Sequence, residues 1–204
     1  MVDVVNVFGV RKENGDLRKQ EKETMAQTRK SSSAIHGPQF PEPDVSNFSD
    51  KGILLEIGTF LGRSAVVWAE AFEKAGKDWR IVTVDDYSIS GKEQEKKVKE
   101  NLKSWNNITT RKARFNREFT INIIPTAVFY DGNHEYEYVQ CCLDMYKDLD
   151  NLVLKYPVGI NDQGKNFLGN NRAVDDHAKK YNKNLKVTSQ VAYLTKRETD
   201  YGTA

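Results

Sequence analysis

Apolar positions along the chain fall into short runs bounded by turn residues, and these runs alternate with charged, amphipathic stretches. Ile53-Leu54-Leu55, flanked by Gly52 and Gly58, suits a buried strand. A turn with two glycines follows, from Gly58 to Gly62, and then Ser64 to Ala75 reads as a helix whose Ala65, Trp68, Ala71 and Phe72 share one face. A second apolar run, Ile81 to Val84, ends on two carboxylates, Asp85 and Asp86. Together these make a strand-turn-helix-strand unit of the kind that builds a parallel sheet.

The same periodicities continue downstream. Val98, Leu102 and Trp105 give the Lys/Glu-rich stretch 87–106 one thin apolar face, and its charges read as a solvated surface. Ile108 to Phe115 predicts a third strand, and Thr126 to Asp131 a fourth; the connection Arg117 to Ile124 is short for a crossover helix. Tyr136 to Leu149 is a helix with Val139, Cys142, Leu143 and Tyr146 inward, and Leu152 to Ile160 leads into a fifth strand ending at Asn161-Asp162. A polar loop, Gly164 to Asn171, precedes a helix from Arg172 to Tyr181, and Leu185 to Val191 and Ala192 to Lys196 read as the last two strands.

Residues 1–49 do not share this pattern. Arg11 to Lys30 is dense in charge, Ser31-Ser32-Ser33 follows, and Pro38, Pro41 and Pro43 exclude a helix interior. The expected organisation is therefore an N-terminal appendage over 1–49 and one domain over 50–204, which a length of 204 residues accommodates. No run approaches the roughly 18 apolar residues of a membrane span, and the N-terminus lacks the pattern of a secretory signal. With 31 Lys and Arg against 29 Asp and Glu, the balance gives no general pull toward nucleic acid. The two cysteines, Cys141 and Cys142, are adjacent and suggest neither a disulfide framework nor a zinc site, so a cytoplasmic setting is expected.

The first unit points to a nucleoside-like ligand. Gly58 and Gly62 let the backbone turn tightly and approach a ligand that a Cβ would block. N–H groups at the start of the next helix favour a negative group at the same spot. An acidic residue closing the second strand can accept both ribose hydroxyls, which makes Asp85 the expected sugar clamp, with Asp86 beside it. The glycine pattern is GxxxG rather than GxGxxG, so a dinucleotide site is the weaker reading.

The segment Glu56-Ile-Gly-Thr-Phe-Leu-Gly-Arg-Ser64 closely resembles the first motif of class I S-adenosylmethionine-dependent methyltransferases, in the branch that includes small-molecule and sugar O-methyltransferases. Asp131-Gly-Asn-His-Glu-Tyr136 resembles the DGxHxY signature of that branch, and Arg172 to Tyr181 its following helix. The resemblance covers about residues 50 to 197. It implies an α/β, Rossmann-like class I methyltransferase fold, a mainly parallel seven-stranded sheet with helices on both faces, closed by an antiparallel hairpin. It implies S-adenosylmethionine as cofactor, with Glu56, Gly58 and Thr59 at its amino-acid end and Asp85 on its ribose. Phe60, Gly62, Ser64, Asp86, Asn116 and Asp131 complete the expected cofactor set, and Phe115 is a further adenine candidate. His134 is the expected general base for methylation of a small-molecule or sugar hydroxyl. Asp131, Asn161 and Asp162 offer oxygen ligands for Mg²⁺, against a reading in which Asp162 caps a turn. His36 or Phe40 would line a lid formed by the N-terminal segment, against a reading as solvated linker. His177 falls where the pattern has an apolar residue and reads as a packing or surface histidine. The expected partners are the acceptor and a second copy of the chain, with no nucleic acid and no membrane. Two rival readings are a hydroxylase-like enzyme of the same fold and a non-catalytic binding protein.

Overall fold

The computed structural model describes residues 31–35, 40–156, 168–188 and 190–197. Among these residues, seven strands and four helices follow a 3-10 turn at Ser32–Ala34. They are β1 (Lys51–Ile57), α1 (Arg63–Lys74), β2 (Asp78–Asp85), α2 (Gly91–Leu102), β3 (Ile108–Lys112), β4 (Ala127–Tyr130), α3 (Tyr136–Met145), β5 (Asn151–Lys155), α4 (Leu168–Lys180), β6 (Lys183–Thr188) and β7 (Val191–Lys196). All seven strands form one sheet in the order β3-β2-β1-β4-β5-β7-β6. The β1–β2, β1–β4, β2–β3 and β4–β5 pairs are parallel, whereas β7 runs antiparallel to both β5 and β6. The expected mainly parallel seven-stranded sheet with a closing hairpin is present.

Both faces are covered. On one, α1 and α2 bring Trp68, Phe72, Val98 and Leu102 against Leu54, Ile81 and Phe129. On the other, α3 and α4 bring Val139, Leu143, Ala173 and Val174 against Leu55, Val128, Leu152 and Leu154. Burial on two sides is why β4 reads AVFY without alternation and all four of its residues are buried. No helix lies between β3 and β4; Phe115, Phe119, Ile121 and Ile123 of that connection pack on the α3 face instead.

Aromatic packing binds the N-terminal segment to this frame. Phe72 and Trp79 stack at 4.5 Å with an interplanar angle of 4°, and Phe48 meets Trp79 edge-on at 5.3 Å. Trp79 Nε1 donates to the carbonyl of Ser49 at 2.8 Å. Ile35, Val45 and Phe48 are buried in the same cluster, so the part of the 1–49 segment described is built into the core, although its sequence is rich in proline and charge. Residues 1–30 and His36 lie outside the described residues.

Two boundaries differ from the sequence pattern in ways that matter for the site. Strand β3 ends at Lys112, because its partner β2 ends at Asp85, and Ala113 N donates to the Asp85 carbonyl as the pairing stops. Strand β5 ends at Lys155, well short of Ile160. Beyond it, Tyr156 N donates to the carbonyl of Gln190, in line with the antiparallel pairing of β5 and β7. Asn161 and Asp162 lie outside the described residues.

Candidate functional site

The strand order reverses between the parallel β1 and β4, since the chain runs outward from β1 through β2 and β3 on one side and resumes with β4 on the other. In open parallel sheets the crevice at the carboxyl ends of such strands is where ligands bind. A cavity of about 580 Å³ opens there, within the range of small-molecule sites.

The glycine turn forms its floor. Gly58 leaves β1 with φ 99°, and a Cβ on it would stand 2.3 Å from the carbonyl oxygen of Asp131. Only glycine fits between the ends of β1 and β4. Gly62, with φ 85°, starts α1, and a Cβ there would press on Leu102 of α2 at 3.0 Å. Its role is helix packing, and it does not line the cavity. Phe60, between the two, is itself held at φ 48°, an uncommon conformation for a residue with a side chain.

Asp85 fixes this turn. Its Oδ2 accepts the backbone N–H groups of Thr59 and Phe60, each at 2.9 Å, and its Oδ1 accepts that of Tyr87 at 2.6 Å. Three charge-assisted bonds hold the strained loops after β1 and β2 to one carboxylate. Asp86 next to it accepts the Ser88 N–H at 2.8 Å. Hydrogen bonding from Ser88 chiefly, with help from the Arg114 charge, lowers its pKa. Both carboxylates line the cavity.

Three more titratable groups sit close by. Glu56, the last but one residue of β1, is wholly buried, and neither carboxyl oxygen meets a hydrogen-bond partner within normal geometry. Burial pushes it up to about 8, opposed by the nearby hydroxyls of Ser64 and Thr83, while the charges of Asp131 and Asp85 push it further up. Glu56 stands behind the cavity wall, and Ser64 is the neighbour that reaches the cavity. Asp131 leaves the end of β4 into the cavity, and burial pushes its carboxyl up to about 7, with Lys155 opposing. His134 Nε2 lies 3.6 Å from Asp131 Oδ1, and burial, then the Lys155 charge, lower the imidazole pKa. The imidazole is therefore neutral at neutral pH and able to take a proton.

Of the residues named from the sequence, the cavity thus gathers Gly58, Thr59, Phe60, Ser64, Asp85, Asp86, Asp131 and His134, together with Phe40 and Phe115. Glu56, Gly62 and Asn116 do not line it; Asn116 Oδ1 accepts Glu118 N–H at 3.0 Å and closes the turn after β3. Sequence reasoning missed Arg114, Tyr138 and Lys155, which also line it. His177, on α4, is fully buried outside this set, its ring centre 4.5 Å from that of Tyr181 in a tilted contact.

A positively charged nucleoside suits these residues: a glycine cradle that a Cβ would fill, a pair of carboxylates, and two acids, Glu56 and Asp131, whose pKa values desolvation raises. For the expected divalent ion, Asn161 and Asp162 lie outside the described residues; among those described, no three His, Cys, Asp or Glu side chains gather as a metal site, and the strand next to Asp131 brings Lys155 to the cavity.

No protein-family model matches the chain, and a search of curated proteins finds no relative. Solved structures do match in fold. A Podospora anserina methyltransferase with bound S-adenosylhomocysteine is 18% identical, with a TM-score of 0.50 over 72% of each chain. The C-terminal domain of precorrin-6Y C5,15-methyltransferase from Rhodobacter capsulatus is 13% identical, with a TM-score of 0.54 over 81% of this chain and 95% of that one. Magnesium protoporphyrin IX methyltransferase from Synechocystis, with bound S-adenosylmethionine, is 10% identical, with a TM-score of 0.52 over 96% and 87%. The fold is that of S-adenosylmethionine-dependent methyltransferases, a Rossmann-like, mostly parallel seven-stranded sheet.

Proposed function

We propose that the chain is an S-adenosylmethionine-dependent methyltransferase that methylates a hydroxyl of a small molecule or sugar. One observation carries the reading: a single cavity joins the Gly58 turn, the Asp85-Asp86 pair and a neutral His134. The methionine end of the cofactor would lie over Gly58 and Thr59, near Ser64 and the buried Glu56. Its ribose would meet Asp86 and the remaining lone pairs of Asp85, and its adenine would lie between Ile89, Arg114 and Phe115. When bound, the cofactor supplies a methyl group on a sulfonium.

The protein's task is to position the acceptor oxygen in line with that methyl group, to exclude water, and to remove a proton. His134 Nε2 would take the hydroxyl proton as the acceptor oxygen receives the methyl group that the cofactor supplies. Asp131, 3.6 Å away, stabilises the imidazolium that results. Phe40 and Tyr138 close the acceptor side of the cavity, Phe40 through its edge-on contact with Phe129 at 5.1 Å. The segment around Phe40 serves as the edge of a lid in this reading. Magnesium, expected from the resemblance, has no part in it. Among the described residues no helix is long and apolar enough to cross a membrane. The proposal keeps the cytoplasmic setting and the self-pairing read from the sequence, with an acceptor that is not a nucleic acid.

Incubation with methyl-labelled S-adenosylmethionine and a panel of hydroxylated small molecules and sugars tests the reading. Label should enter at least one acceptor oxygen, and His134→Ala should cut turnover about 10²–10⁴-fold while S-adenosylhomocysteine still binds. Cofactor binding without any labelled product would favour the non-catalytic rival.

A further inference from the structure

At the carboxyl edge of the sheet β4 and β5 are in parallel register, with Tyr130 opposite Leu154. The next residue on each strand is Asp131 and Lys155, and both side chains line the same cavity. Strand β5 ends at that lysine, and the next residue, Tyr156, donates its N–H to the Gln190 carbonyl in line with the β5–β7 pairing. The backbone there is fixed from a third side, because buried Asn170 of α4 donates through Nδ2 to the Lys155 carbonyl. On the cavity side, Lys155 Nζ stands 5.5 Å from the centre of the Phe40 ring. The charge of Lys155 acts on both Asp131 and His134, lowering each pKa. A bound divalent ion beside Asp131 would need further oxygen or imidazole donors; at the neighbouring position on β5 this chain carries a lysine instead.

We infer that Lys155 is the fixed cation of the acceptor site: its ammonium, and not a divalent metal, stands beside Asp131 and stabilises negative charge on the acceptor oxygen. The inference rests on the methyltransferase reading for its chemical role but on the β4–β5 register for its geometry. As the acceptor hydroxyl gives its proton to His134, charge grows on oxygen. A fixed ammonium in a partly dry cavity offsets that charge without first recruiting an ion. The acceptors favoured are those whose reacting oxygen is acidic, such as phenols or hydroxy acids, over simple alcohols.

Manganese titration of the full chain, followed by electron paramagnetic resonance in saturating S-adenosylhomocysteine, tests this with the metal alone as probe. The wild-type protein should bind no Mn²⁺ that Asp131→Asn removes. Lys155→Asp, which restores a carboxylate pair, should bind one Mn²⁺ at least tenfold more tightly than wild type, and Asp131→Asn in that background should abolish it. Lys155→Met should still not bind the ion, which separates loss of the ammonium from gain of a ligand. A wild-type Mn²⁺ site that Asp131→Asn removes would overturn the inference, as would a Lys155→Asp protein that binds S-adenosylhomocysteine but no metal. Failure of every variant and the wild type to bind S-adenosylhomocysteine would instead count against the methyltransferase reading.

Discussion

Glu56 makes cofactor binding a proton-linked event. A buried carboxyl pushed up to about 8 is about nine-tenths protonated at pH 7. A ligand carrying an ammonium and a sulfonium into the adjoining cavity favours the ionised form, through the same low dielectric that disfavoured it when alone. Binding should therefore release close to one proton at pH 7. If only the ionised form binds, the apparent association constant scales as 1/(1 + 10^(pKa − pH)). That factor is about 1/2 at pH 8 and about 1/100 at pH 6 for a pKa of about 8, a fall of roughly 50-fold. Asp131, pushed up to about 7, steepens the fall below pH 7 in any background. Glu56→Gln isolates the first group, because the amide matches the neutral acid in shape and cannot ionise. Calorimetric titration with S-adenosylmethionine in two buffers of different ionisation enthalpy counts the protons directly. The variant should release about one proton fewer than wild type at pH 7 and show a shallower pH dependence. Equal proton release and parallel pH profiles in the two proteins would refute the coupling.

Other outcomes follow from particular contacts. Asp85→Ala removes three backbone hydrogen bonds at once and should lower unfolding stability by about 2–3 kcal/mol in urea titration. Asp86→Ala should leave stability nearly unchanged while weakening S-adenosylhomocysteine binding. Gly58→Ala should abolish binding or folding, because a Cβ there meets the Asp131 carbonyl oxygen at 2.3 Å; retained affinity would show that β1 and β4 ends separate easily. His177, buried without a hydrogen-bond partner, has its pKa lowered to about 4, by burial first and then by Lys183. The unfolded chain takes up its proton near pH 6.5, so stability present above that value should fall as pH drops toward 4, by about 3 kcal/mol at most. His177→Phe should flatten that part of the denaturation profile.

Much of this was legible in the sequence where local pattern and tertiary demand agree. The unit from Gly52 to Asp86 announces itself because a doubly buried strand needs an unbroken apolar run, and the close approach of Gly58 to Asp131 admits no side chain. The end of β5 was not legible: Leu152-Val-Leu-Lys-Tyr-Pro-Val-Gly-Ile continues apolar past Lys155, whereas the strand ends at that lysine. Asn116 and Gly62 carried motif positions but serve a turn and a helix contact, since which face a loop residue presents depends on what packs behind it. Phe48 and Val45 were hidden by the prolines around them, although proline restricts helix without preventing burial.

The central claim is that this cavity binds the methyl donor, and titration of the folded chain with S-adenosylhomocysteine tests it most directly. The account predicts saturable binding at one site per chain, competed by S-adenosylmethionine and weakened by Asp86→Ala. A folded protein that shows no saturable binding would contradict it.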